Sequence, residues 1–275
     1  MAPSVDFVDS SLPEGAKDSS ASQSNPKTTG QKMKQSIFTI KENVALTSTV
    51  YKMVLVGDTS DITATGQFVN IKLDGLFLRR PISVCDWDDK TLTIIYKVVG
   101  TGTEQMASMP VGTELDILTG LGNGYDTSKS GNSPLLIGGG VGVPPMYALA
   151  KKLISEGKDV TVILGFNNKD EIFYENEFKA LGATVYITTV DGSYGNKGFV
   201  TDVMKTLTYS YFYTCGPMPM FKAIEATAVT SGQFSFEERM GCGFGACMGC
   251  SCETKYGNKR ICRDGPVLER EEIIW

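Results

Sequence analysis

Five of the seven cysteines in this chain fall between residues 242 and 262. Cys242, Cys247 and Cys250 follow the spacing C-x4-C-x2-C, and Cys262 comes after eleven more residues. That spacing belongs to plant-type [2Fe–2S] sites, where four thiolates from one short segment wrap two irons and carry one electron. Gly241, Gly243, Gly245 and Gly249 are interleaved with them, leaving backbone free to fold around inorganic sulfide where side chains would collide.

Two other readings of the thiols compete. Disulfide frameworks belong to small secreted domains, and this chain has 275 residues with no secretory hydrophobic segment. Structural zinc is the stronger rival, but zinc favours paired C-x2-C knuckles and only one is present. Spacing alone does not separate Cys250 from its neighbour Cys252, which is read as a bystander. The chain has no His, which excludes His acid–base catalysis, Ser-His triads, His-ligated zinc and Rieske ligation. Chemistry here must rest on a cofactor.

The remaining composition narrows the class. A net charge of −5 without a basic stripe argues against nucleic acid. No apolar run approaches the roughly 20 residues that span a bilayer. Many thiols without a secretion signal imply a reducing, cytoplasmic setting.

The elements that must position the thiols change in character along the chain. Residues 1–32 are polar and low in large apolar residues, the pattern of a disordered tail, with Met33 as the expected natural start. From Ser36 to about Leu118, short strands at 37–40, 51–56, 67–71 and 91–96 punctuated by Gly and Asp predict a small antiparallel barrel, assigned to residues 33–131. Residues 132–231 alternate strands and helices, which predicts a doubly wound parallel sheet with ligands at the carboxyl ends of its strands. Residues 232–275 form the expected cluster domain. The fold class is therefore multi-domain, β plus α/β.

Three further motifs carry chemistry. Arg79-Arg80-Pro81-Ile82-Ser83 follows a barrel strand; an Arg fork suits a pyrophosphate and Ser adds a hydrogen bond. Tyr96 ends another strand as a candidate ring-facing side chain, ahead of the glycine turn Gly100-Thr101-Gly102-Thr103. Gly138-Gly139-Gly140-Val141-Gly142 lies between strand and helix, where a dinucleotide phosphate meets a helix N-terminus, although Val143-Pro144 stands where the third fingerprint Gly would be. Tyr213-Thr214-Cys215-Gly216-Pro217 ends a later strand at the same edge, with Cys215 a candidate for the nicotinamide pocket.

In this order the motifs resemble ferredoxin–NADP reductase-type flavoproteins. The ending from Glu238-Arg239-Met240-Gly241-Cys242 to Cys262-Arg263-Asp264-Gly265-Pro266-Val267 resembles the electron-transfer subunits of dihydroorotate dehydrogenase B, and the match covers about residues 34–275. The resemblance implies FAD in the barrel, contacted by Arg80, Pro81, Ile82, Ser83, Ile95, Tyr96, Lys97, Gly102 and Thr103. It implies cluster ligation by Cys242, Cys247, Cys250 and Cys262. It also implies a separate FMN-containing catalytic subunit that oxidises dihydroorotate in pyrimidine synthesis, two of each in a heterotetramer, with NAD⁺ as the final acceptor. Gly140, Val141, Gly142, Cys215 and Gly216 are the expected NAD contacts. NAD⁺ is chosen from the resemblance: Phe166-Asn167-Asn168-Lys169 offers neither an adjacent acid for a ribose hydroxyl nor an Arg for a 2′-phosphate. Related flavin subunits of sulfide dehydrogenases, bifurcating transhydrogenases or hydrogenases are the alternatives, with a zinc-binding interaction module as the non-enzymatic one.

Overall fold

The computed structural model describes residues 33–275; the expected tail and the expected start of order at Met33 concern residues on or beyond that edge, and 1–32 lie outside the described residues. Six antiparallel strands close a barrel in the order β1-β2-β5-β4-β3-β6. They are β1 (Lys34–Ala45), β2 (Val50–Val56), β3 (Phe68–Ile71), β4 (Arg80–Trp87), β5 (Thr91–Lys97) and β6 (Glu114–Leu121). Phe38, Ile40, Met53, Leu55, Val69, Ile71, Leu92, Ile94 and Ile117 fill it. Alternation along each strand puts these positions on the inner face.

A seven-stranded sheet follows. Its strands are β7 (Leu135–Gly139), β8 (Thr161–Phe166), β9 (Thr184–Thr189), β10 (Asn196–Lys197), β11 (Phe212–Cys215), β12 (Gly232–Ser235) and, far along the chain, a closing strand at Val267–Glu269. The helices between them are α2 (Val143–Ser155), α3 (Glu175–Ala180), α4 (Val200–Met204) and α5 (Met218–Thr227); α1 (Thr101–Ala107) belongs to the barrel. The order is β10-β9-β8-β7-β11-β12 and then the closing strand, which alone is antiparallel. The chain winds outward from β7 in both directions, so the switch point lies between β7 and β11. Period-two alternation feeds two cores on opposite faces. Leu136, Val162, Leu164 and Tyr213 face α2 and α3, while Leu135, Ile137, Ile163 and Phe212 face α4 and α5.

Three elements differ from the sequence reading. Gly232–Ser235, expected to open the cluster domain, is a parallel strand paired with β11. The cluster segment therefore leaves the sheet after β12 and returns as the closing strand. Within it, β13 (Ser251–Thr254) and β14 (Gly257–Arg260) form a hairpin, which makes the closing strand β15. The glycine turn at Gly100–Thr103 is the entry to α1: Gly100 caps the helix, and Thr103 Oγ1 accepts from Val99 N–H at 2.9 Å. Thr103 Oγ1 also donates to Gly100 C=O at 3.0 Å, so the Gly-Thr-Gly-Thr run closes on itself as a first helical turn.

Candidate functional site

The two runs expected to meet a flavin face each other across a split in the barrel. β4 pairs with β5 only from Val84 to Trp87, with a bulge at Cys85. Arg80–Ser83 pair with β3 alone, and Ile95–Lys97 pair with β2 alone. The strands diverge beyond Val84 and Ile94, leaving two facing backbone edges outside the ladder. Backbone donors and acceptors at such edges need partners. The split is closed at one end by α1, where a Cβ on Gly102 would stand 2.3 Å from Arg80 Nε. Arg80, Gly102 and the two backbone runs thus converge, and they fit a planar ligand with an attached phosphate.

Two side chains depart from expectation. Arg79 is not half of a free fork. Its guanidinium is bidentate on Asp116, with Nη1 and Nη2 each 3.0 Å from a carboxylate oxygen. Tyr96 does not face the split. It is 2% exposed in the barrel core, its hydroxyl donates to Asn43 Oδ1 at 3.0 Å, and its ring stacks on Tyr51. Strand parity explains this. Tyr96 points inward, so its neighbours Ile95 and Lys97 point outward to the sheet domain, and Tyr96 can meet a ligand in the split only through its main chain.

A cavity of about 550 Å³ lies at the switch point, between barrel and sheet. Thr49, Val50 and Lys97 line it from the barrel, and Gly139–Gly142, Gly216 and Pro217 from the sheet. Gly142 is forced by packing: a Cβ there would sit 2.1 Å from Cys215 C=O. The two strand ends can therefore close on each other, and the cavity rim is backbone. Cys215 itself is not a lining residue. It is 1% exposed, and burial pushes its thiol far above the ordinary range. Two residues that no motif flagged also line the cavity, Phe199 and Glu237. Glu237 is exposed at the cavity, and the protein packed around it raises its carboxyl pKa.

The cluster cysteines gather as two pairs. Cys242 Sγ accepts from Ala246 N–H at 3.2 Å and Cys247 N–H at 3.5 Å. Cys250 Sγ accepts from Cys262 N–H at 3.4 Å. Burial opposes ionisation of Cys242, but hydrogen bonds from Phe244, Cys247 and Ala246 outweigh it and bring the thiol down to about 6. Burial and the adjoining Cys250 thiol push Cys262 up to about 12, so it ionises only against a cation. Cys250 and Cys262 are buried, whereas Cys247 is exposed. Among the described residues no three His, Cys, Asp or Glu side chains gather in a form that holds one ion. A two-and-two arrangement of thiols fits a binuclear centre with two thiolates per iron. Cys252 lies apart on β13, its thiol toward Glu253 C=O at 3.6 Å. Burial, then Glu238, Glu253 and Glu272, raise its pKa, which makes it a poor thiolate.

Residues 237–274, which contain all four paired cysteines, match the family model for the iron–sulfur cluster binding domain of dihydroorotate dehydrogenase B. Residues 136–226 match an oxidoreductase NAD-binding domain. An electron-transfer subunit of dihydroorotate dehydrogenase B (NAD⁺) from Fusobacterium nucleatum is 46% identical, with 88% of this chain and 99% of that protein aligned. The chain belongs to this family of electron-transfer subunits. A member from Geobacillus is 43% identical over 88% of this chain and 99% of its own. Among solved structures, an NADH-dependent reduced ferredoxin–NADP oxidoreductase studied for flavin-based electron bifurcation aligns with a TM-score of 0.79 and 29% identity, covering 86% of this chain and 90% of that one. The family is one of NAD-linked oxidoreductases that carry flavin and iron–sulfur groups, and the barrel, the parallel sheet and the cysteine segment are the parts this fold uses. Among the described residues, no helix is long and apolar enough to cross a membrane.

Proposed function

We propose that this chain couples a dihydroorotate-oxidising, FMN-containing catalytic subunit to NAD⁺ in pyrimidine synthesis, as part of a cytoplasmic heterotetramer with two of each subunit. The observation that carries the reading is the convergence, in one chain, of a split barrel, a switch-point cavity and two thiol pairs. FAD and a [2Fe–2S] cluster, when bound, supply the exchange between one-electron transfer and hydride transfer.

The chain's own residues divide the work. The open edges at Arg80–Ser83 and Ile95–Lys97 take the flavin ring, and Arg80, seated on Gly102, takes its phosphate. Thr103 holds the turn that presents Gly102. Gly140, Val141, Gly142 and Gly216 form the cavity rim that receives the nicotinamide nucleotide, with Lys97 opposite them on the barrel. Among the described residues, Lys97 is the one cation on the lining, and no Arg stands there for the extra phosphate of NADP⁺. Cys242, Cys247, Cys250 and Cys262 hold the irons. The exposed Cys247, with the half-exposed Phe244 and Met248 beside it, puts this end of the centre within reach of a partner.

Affinity purification of the tagged chain from its native cells tests the reading. Recovery of an FMN protein that oxidises dihydroorotate, with NAD⁺ reduced in the mixture, is the expected result. A partner that oxidises sulfide or hydrogen would replace it with one of the alternatives. Zinc without acid-labile sulfide would remove the electron-transfer role.

A further inference from the structure

The cluster segment leaves the sheet after β12 and returns at β15, so the sheet's own ladder does not fix where the thiols lie relative to the split in the barrel. Two asparagines of the barrel domain reach the segment. Asn123 holds its returning end, with Nδ2 donating to Val267 C=O at 2.7 Å and Oδ1 accepting from Val267 N–H at 3.0 Å. Asn70 meets its outgoing end. This residue lies on β3 and is 1% exposed. Its Nδ2 donates to Cys242 C=O at 3.3 Å. A Cβ on Gly243 would stand 2.3 Å from that nitrogen, and Gly243 has φ +79°, so the amide lies directly on the peptide that follows the first thiol.

The other side of Asn70 is tied to the strand expected to hold flavin. Asn70 is registered opposite Pro81 in the β3–β4 ladder. Its C=O accepts from Arg79 Nη1 at 3.3 Å, and Arg79 is itself locked on Asp116. The side-chain Oδ1 is buried with no hydrogen-bond partner among the described residues. A leucine of similar size would be buried there with no unmade bond. Among the described residues, the amide's one side-chain bond is the one to Cys242.

Resting on the function proposed above, we propose that Asn70 is a positioning residue for electron transfer. It pins the Cys242 end of the cluster loop to the flavin-holding strands, and so sets the separation and orientation of the two centres. Asn123, by contrast, fastens the segment at a point beyond the last cysteine.

The test uses the full chain with FAD and cluster reconstituted, and the variants Asn70→Leu and Asn70→Ala. The expected variants bind FAD and iron in wild-type amounts, and NADH reduces their flavin at the wild-type rate. Flavin-to-cluster transfer, followed by stopped-flow absorbance, slows by about tenfold or more, and the electron paramagnetic resonance signal of the reduced cluster broadens. A transfer rate and spectrum unchanged in both variants would overturn the proposal, even if their melting temperatures fell. Loss of flavin together with the cluster would also overturn it, because Asn70 would then support the barrel as a whole. Failure of the underlying function would appear earlier, as wild-type protein with no NADH-reducible flavin or no reducible cluster.

Discussion

The seven-stranded sheet and the cluster segment differ in how much of their backbone is held by ladders. In the sheet, alternate residues of β7, β8 and β11 enter two apolar cores, and each strand is held along its length by ladder hydrogen bonds. In the segment between β12 and β15, one short hairpin is the only ladder among the described residues. The rest is held by Cys250, Ile261 and Cys262, buried in one core with Phe68, Leu118 and Leu121, and at points: Arg260 Nη1 on Gly245 C=O at 2.8 Å, Asn70 on Cys242, and Asn123 on Val267. Burial stabilises the first region whether or not a ligand is present. The second has only a small buried part, around Ile261; the rest of it depends on a few clamps and on ligand bonds, which in cluster proteins are part of the folding energy.

The largest expected effect breaks the sheet. Phe212 is fully buried and packs edge-on to Phe234 at 5.2 Å. Phe212→Ala should cost about 3–5 kcal/mol in urea unfolding and lower soluble yield; a loss under about 1 kcal/mol would mean the sheet core is not the stable part. Next comes the segment. Cys247→Ser should eliminate the cluster signal and expose residues 236–266 to protease, while NADH still reduces the flavin and the sheet's urea midpoint stays put. Loss of flavin reduction in that variant would show that the two regions fold as one unit. A third change acts where the sheet meets its ligand. Gly142→Ala drives a methyl group into Cys215 C=O, and should slow flavin reduction by NADH about tenfold or more with the cluster spectrum intact, as read by stopped-flow.

The smallest effect lies at the joint. Arg270, just past β15, forks on Glu225 of α5, with Nε 2.8 Å from Oε2, and Nη1 donates to Thr230 C=O at 2.6 Å. Arg270→Ala should cost about 1–2 kcal/mol of stability without changing either cofactor spectrum. A spectral change there would mean that the sheet edge positions the cluster as well.

The same contrast decides what the sequence revealed. Barrel and sheet were legible because apolar periodicity specifies them: runs such as Leu135–Ile137 and Val162–Leu164 read as buried strands. The cluster site was legible for a different reason, since thiolate spacing is fixed by coordination chemistry. What lay between was hidden. Gly232-Gln233-Phe234-Ser235 is short and poor in β-branched residues, so its place in the sheet follows only from pairing with Phe212–Cys215. Tyr96 looks ring-facing in sequence because it ends a strand, and the barrel core that takes its side chain is a tertiary feature. Arg79 and Arg80 look alike in sequence, and only Asp116, far along the chain, separates them: it locks Arg79 in an ion pair, while Arg80 bonds the Leu78 carbonyl. Glu237, Phe199 and Asn70 belong to no motif and converge on their sites through folding alone.

Anaerobic protein reconstituted with FAD, iron and sulfide is titrated with NADH, and the visible and electron paramagnetic resonance spectra are followed together. The expected result is bleaching of the flavin, followed by a reduced [2Fe–2S] signal in the same chain that Cys247→Ser eliminates. Flavin that bleaches while no cluster signal ever forms, in protein with a full complement of iron and sulfide, would contradict it.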